Sequence, residues 1–234
     1  MTNIDIRNES KSAKIFGTAD YAVALSEVFA AEDKVKAAFS RLPQVPMRFY
    51  RDNVIACEGD RADNLFFVVR GVARSCKNCR QGVRNIVAFY LPGDFFGWTE
   101  LKHSLSIEAV TDIEVLFIKR SALLALGSRD AFVGRFLLRA TTNELTRAQD
   151  HILLMSKLAK CRVATFLNDL WVRLGRAEYL DIPMSHQDIA DHLGLTIETV
   201  SRTIAELERS RMITRVSSKK LLIQSRLALG HMMN

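Results

Sequence analysis

Apolar positions follow different rhythms along the chain, and each rhythm predicts a different architecture. From 20 to 42 they recur at helical spacing, at Val23, Leu25, Val28, Phe29, Val35 and Phe39. This predicts a leading helix or helix pair behind a polar arm, the two spanning 1–42. From 43 to 127 short β-prone runs alternate with turn signals. The runs are 53–55, 65–69, 71–74, 83–91, 95–96 and 113–118, and the turns fall at Glu58-Gly-Asp60, Arg70-Gly71, Gln81-Gly82 and Leu91-Pro-Gly-Asp94. Strands at that rhythm predict a small β-barrel or jelly roll, a sensor-like β-roll over 43–127. From 128 to 156 the spacing is helical again, without proline or an internal turn signal. Leu138, Thr141, Leu145, Ala148, Ile152 and Met155 recur at 3, 4, 3, 4, 3. The opposite side is polar: Arg139, Asn143, Glu144, Arg147 and Asp150. A heptad seam of this kind predicts a homodimerisation helix over 128–156. A helix packed on its own barrel is the alternative.

The last stretch, 157–234, begins at a hinge over 157–160 and continues in a helix carrying Val163, Phe166, Leu167 and Leu170. Ser185 is an N-cap, and Asp188 three residues on fits a capping box. A short helix follows, with Ile189 and Leu193 on its buried face and small Ala190 leaving room for a crossing helix. Gly194 supplies the turn, and Thr196 caps a second helix. There Val200, Ile204 and Leu207 share one face, while Glu198, Ser201 and Arg202 lie on the other. This is a helix-turn-helix with polar side chains where such motifs place base-reading groups. An ordinary helical hairpin is the plain alternative. The runs 212–216 and 221–224 around 217–220 predict a β-hairpin wing behind it, so 157–234 reads as a winged helix-turn-helix unit.

Charge sharpens this reading. The formal net charge is +7, and from 157 onward 12 Lys plus Arg stand against 8 Asp plus Glu, an excess of +4. A basic C-terminal third beside a helix-turn-helix points to double-stranded DNA. The N-terminus has no apolar signal region and no run approaches a membrane span, so a cytoplasmic protein with no membrane partner is expected. Four cysteines in 234 residues make no disulfide framework.

The ordered set of segments resembles the CRP/FNR superfamily of bacterial transcription regulators over about 43–226. The likeness rests on Gly59-Asp60 with Phe66-Phe-Val-Val-Arg-Gly71, on Phe89-Tyr-Leu-Pro-Gly-Asp-Phe-Phe-Gly97, and on Gly194-Leu-Thr-Ile-Glu-Thr-Val-Ser-Arg202. Within the superfamily, Glu198-Thr-Val-Ser-Arg202 and Ala88-Phe-Tyr-Leu-Pro-Gly-Asp94 are most similar to the FNR and FixK branch. The resemblance implies an α+β chain: β-roll, long dimerisation helix, winged helix-turn-helix. It implies a homodimeric activator working with RNA polymerase, in low-oxygen or nitrogen-fixation gene control. It makes Glu198, Ser201 and Arg202 the base-contacting set, reading TTGA and its inverted copy TCAA as TTGA-N6-TCAA. Ile197, Thr196, Thr199, Ser185 and the wing residues Lys219 and Lys220 complete the expected DNA contacts. Relatives that bind cyclic AMP carry an Arg-Ser pair for the phosphate and an Arg at the place of Ile197. Here His103-Ser104 stands at the former, which argues against a cyclic nucleotide. No cysteine precedes Cys57, which argues against the iron–sulfur cluster of oxygen-sensing FNR proteins. No cofactor is expected.

Other residues invite chemistry. Cys76-Lys-Asn-Cys79 is a C-x-x-C at a predicted hairpin turn, open to a redox or metal role, or incidental. Cys57 and Cys161 read as core or near-core residues. Of five histidines, His103 and His151 are candidates for a haem-sensing variant. A ligand-binding β-roll module acting on a protein, and a thiol redox enzyme on Cys76 and Cys79, are the competing function classes. No general acid–base pair, nucleophile–base set or phosphate loop stands out, so no enzyme is expected.

Overall fold

A computed structural model describes residues 14–15, 39, 42, 44–78, 84–99 and 101–224. The helix expected over 20–42 lies outside the described residues, apart from Phe39 and Leu42. The elements run β1 (Lys14–Ile15), β2 (Gln44–Phe49), β3 (Val54–Ala56), β4 (Asn64–Arg70), β5 (Ala73–Asn78), β6 (Arg84–Tyr90), β7 (Phe95–Phe96), β8 (Ser106–Ala109) and β9 (Ile113–Lys119). Then come α1 (Arg120–Arg129), α2 (Ala131–Met155), α3 (Ala159–Arg173), β10 (Tyr179–Asp181), α4 (His186–Leu193), α5 (Ile197–Arg209), β11 (Ile213–Ser217) and β12 (Lys220–Ile223). The fold is α+β, with a β domain, a long helix and a C-terminal helix-turn-helix carrying a small sheet. Two compact units contain these elements: Met1–Cys76 with Phe89–Leu138, and Lys77–Ala88 with Arg139–Asn234.

Two antiparallel sheets build the β-roll, in the orders β1-β2-β9-β4-β7 and β3-β8-β5-β6. In strand β4 Leu65 to Val69 are all buried, because the strand is covered on both faces. Leu65, Phe67 and Val69 pack with Phe39, Phe95, Leu116, Ile118, Leu123 and Val133. Phe66 stacks on Phe96 at 4.8 Å and meets Phe117 edge-on at 4.6 Å. A strand with two apolar sides reads as a continuous run, which hides its period of two. Strands β2 and β8 were not expected. β2 contains Pro46, opposite Leu116 of β9, and is hydrogen-bonded to β9 along its length.

The helical segment over 128–156 is not continuous. Asp130 ends α1 with its N–H donating to Leu126 O, and its Oδ1 accepts from Phe132 N at 2.8 Å and Val133 N at 3.3 Å. One aspartate thus stops α1 and caps α2. Gly127 and Gly134 let the two helices touch: a Cβ on Gly134 would lie 2.8 Å from Gly127 O. Among the described residues no helix is long and apolar enough to cross a membrane.

Candidate nucleic-acid interface

The helix-turn-helix is built from its caps inward. Ser185 Oγ accepts from Asp188 N at 3.0 Å, and Asp188 Oδ2 accepts from Ser185 N at 3.1 Å, a complete capping box. Gly194 takes the left-handed conformation at φ 61°, where a side chain would be strained. Thr196 Oγ1 accepts from Thr199 N at 3.2 Å and starts α5. Ile189, Ala190 and Leu193 of α4 are buried, as are Val200, Thr203, Ile204 and Leu207 of α5. This common core leaves Ile197, Glu198 and Arg202 exposed, with Thr199 and Ser201 half-buried beside them.

These residues are coupled. Thr196 Oγ1 lies 3.1 Å from Thr199 Oγ1, and Arg202 Nη2 donates to Thr199 Oγ1 at 3.5 Å. Hydrogen bonds from its own backbone N–H and from Thr196 hold the Glu198 carboxyl below the usual carboxylate range. Glu198 is therefore an ionised acceptor beside a bidentate donor, at the positive end of a helix. Ser201 Oγ lies 2.9 Å from His186 Nδ1.

The wing is a three-stranded sheet, β10-β12-β11, so β10 joins the expected hairpin. Lys219 is exposed at its turn. Lys220 folds back, its Nζ 5.1 Å from the Tyr179 ring centroid, a cation–π contact that draws the ammonium inward.

Two arginines that support the motif were not singled out in the sequence. Arg84 Nη2 donates to buried Asp188 Oδ1 at 2.6 Å, and Arg84 Nε to Asp191 Oδ2 at 2.8 Å. Arg162 donates to Met155 O at 2.5 Å, Lys157 O at 2.8 Å and Leu193 O at 2.9 Å. It caps the carbonyl ends of α2 and α4 across the expected hinge. Their partners stand 5 to 31 residues from Arg162 and more than 100 from Arg84, so local spacing carries no signal for them.

On α2 the seam faces outward. Leu138, Leu145 and Ile152 are 67, 58 and 69% exposed; Thr141 and Ala148 are exposed and Met155 half-buried. On the other side Glu144 and Arg147 are half-buried and paired at 2.8 Å.

Strand β5 runs through Cys76, which is buried in it and not at a turn, while Cys79 lies outside the described residues. A thiol in a strand lacks the helix N-terminus that would stabilise a thiolate. Cys57 is exposed, since it sits in the turn before β4; partial burial and then the Asp60 carboxylate raise its pKa. Cys161 is half-buried. His103 is buried in the β-roll. His151 stacks on His192 at 4.4 Å, and His192 Nδ1 lies 3.1 Å from Ile86 O. Burial, and then the charge of His151, push the His192 pKa down to about 4. Among the described residues no group of three or more His, Cys, Asp or Glu side chains could hold a metal ion.

The Crp-like helix-turn-helix domain family matches residues 161–232, and the cyclic nucleotide-binding domain family matches 46–130. The nitrogen fixation regulation protein FixK of Azorhizobium caulinodans is 43% identical over 191 residues, 79% of this chain and 77% of that protein. The chain belongs to the CRP/FNR family. It is a FixK-like, DNA-binding transcription regulator, and the family is not one of enzymes. The transcriptional activatory protein AadR of Rhodopseudomonas palustris is 38% identical over 75% of each chain. The solved structure of FixK2 from Bradyrhizobium japonicum matches with a TM-score of 0.79 at 37% identity, over 82% of this chain and 98% of that one. For this CRP/FNR member a cyclic nucleotide would need a cation for its phosphate. Among the described residues Arg74 is the buried arginine of the β-roll, and it is neutralised by Glu108 Oε2 at 2.7 and 2.9 Å. Arg120, beside the Gly97 turn, donates to Ala62 O and Gly97 O. These residues do not fit a cyclic nucleotide, because a buried phosphate would meet carboxylate-paired or carbonyl-bound cations.

Proposed function

We propose that the chain works in the cytoplasm as a homodimer that reads a TTGA-N6-TCAA-like inverted repeat and activates transcription with RNA polymerase. The genes in question would be of the low-oxygen or nitrogen-fixation type. The observation that carries this reading is the exposed pair Glu198 and Arg202 on one face of α5, with Arg202 oriented through Thr199. Arg202 suits guanine O6 and N7, and Glu198 suits cytosine N4. Ile197 offers an apolar contact of the kind a thymine methyl accepts. Thr196, Thr199 and Ser185 lie around the two helix starts, where backbone N–H groups favour phosphate. Lys219 is the freer wing cation. Names borne by the relatives support the pathway and the activator role. The exposed α2 seam supports the dimer, and two recognition helices related by two-fold symmetry read half-sites about one turn apart. The proposed domain limits are 1–42, 43–127, 128–156 and 157–234; the long helix itself starts at Ala131.

The test is binding of the full chain to that repeat at physiological salt. Arg202→Ala is expected to cost roughly 1–3 kcal/mol and to flatten preference at the guanine. Lys219→Ala is expected to weaken all duplexes alike and to lessen the salt slope. Tight binding of Arg202→Ala to the intact repeat would remove the assignment of the reading face.

A further inference from the structure

His186 opens α4, and Ser201 lies on α5, 15 residues away. A helix serine often bonds back to the carbonyl four residues earlier, as Ser210 does to Glu206 O at 2.9 Å. The Ser201 hydroxyl reaches across the helix pair to an imidazole instead, at 2.9 Å. Ser201 stands next to Arg202 and one turn beyond Glu198, within the proposed reading face. A hydroxyl has one proton and two lone pairs, so its partner decides what it offers to DNA. In the neutral Nε2–H tautomer the unprotonated Nδ1 is a stronger base than a hydroxyl oxygen, and there the Ser201 O–H donates to it.

We propose that His186 is a specificity-positioning residue: by accepting the Ser201 proton it presents Ser201 Oγ to the major groove as an acceptor. An acceptor there suits the exocyclic amine of adenine or cytosine. The inference rests on α5 being the helix that reads DNA. The neutral form of His186 is favoured by its surroundings. Burial and then the Arg215 guanidinium of β11 lower its pKa. It occupies the first turn of α4, where the helix end is positive. Asp188, two residues on in α4, is held by Ser185 N and by Arg84. Protonation would reverse the bond, since both ring nitrogens then donate. Ser201 would keep its proton for an acceptor such as guanine N7 or thymine O4.

The experiment is fluorescence anisotropy of the full chain on the TTGA-N6-TCAA duplex. Symmetric single-pair variants of each half-site and an unrelated duplex complete the set. If the wild type does not separate the repeat from the unrelated duplex, the reading of α5 fails, whatever His186 does. Given that separation, His186→Phe is expected to lose roughly 3- to 10-fold of discrimination at one half-site pair. Preference at the Arg202 guanine and affinity for the unrelated duplex should stay. Ser201→Ala should lose the same discrimination, and the double variant no more. His186→Asn, which keeps an acceptor near the Nδ1 position, should restore it. As the pH is lowered below the ordinary histidine value until His186 takes up a proton, the wild type should lose that discrimination and Ser201→Ala should not change. A wild-type profile in His186→Phe, uniform weakening on every duplex, or additive losses would each overturn the proposal. Should His186→Phe fail to fold, a wild-type profile in Ser201→Ala overturns it alone.

Discussion

Single side chains in the C-terminal unit are committed in ways that set its response to acid. His192 is half-buried and packed against His151 and Phe166, and its pKa is pushed down to about 4, below the ordinary 6.5. The unfolded chain therefore binds a proton that the folded chain refuses between these values. Stability from this group is full above about pH 6.5 and falls as pH drops toward 4, by roughly 3 kcal/mol in all. Urea unfolding at pH 7 and pH 4.5 should show this loss in the wild type and a smaller one in His192→Gln. Equal slopes would assign the acid sensitivity elsewhere. The caps of α4 and α5 were legible because Ser185, Asp188, Gly194 and Thr196 act within three or four residues. Arg84, Arg162 and the bond from His186 to Ser201 were not, because each joins positions brought together only by the fold.

Elements show the same division. α2, α4 and α5 announce themselves by apolar spacing, whereas β2 was obscured by Pro46 and β8 by the polar Ser106 and Glu108. The break at Asp130 was visible in principle as an N-cap residue, but the absence of proline or a turn signal over 128–156 concealed it. The junction after α2 depends on Arg162, which satisfies three carbonyls at once. Arg162→Met should lower the stability of the C-terminal unit by about 2 kcal/mol or more, since hydrogen bonds from a charged donor are lost together. Thermal melting should show the decrease, and an unchanged melt would mean the junction holds without it. On α2, Ala148 lies midway along the exposed row of Leu138, Leu145 and Ile152. Ala148→Asp should place two carboxylates in the proposed dimer seam and shift sedimentation toward monomer. A wild type that is monomeric at micromolar concentration would refute the seam.

At the level of the whole molecule, a β-roll of the cyclic nucleotide-binding kind has its buried cation already occupied by Glu108. Calorimetric titration with cyclic AMP should give no saturable heat, and the DNA affinity should not move. A stoichiometric heat would show that Arg74 can exchange its carboxylate for a phosphate. If cyclic AMP does not set activity, the number of chains becomes a control variable. The bare leucines and isoleucine of α2 then matter for arithmetic as well as for packing. While single chains predominate, the concentration of the proposed pair grows as the square of the total. Halving the amount of chain would leave about a quarter of the operator-competent species. A modest change in synthesis or breakdown would thereby be turned into a steep change at the promoter if the proposed dimer forms.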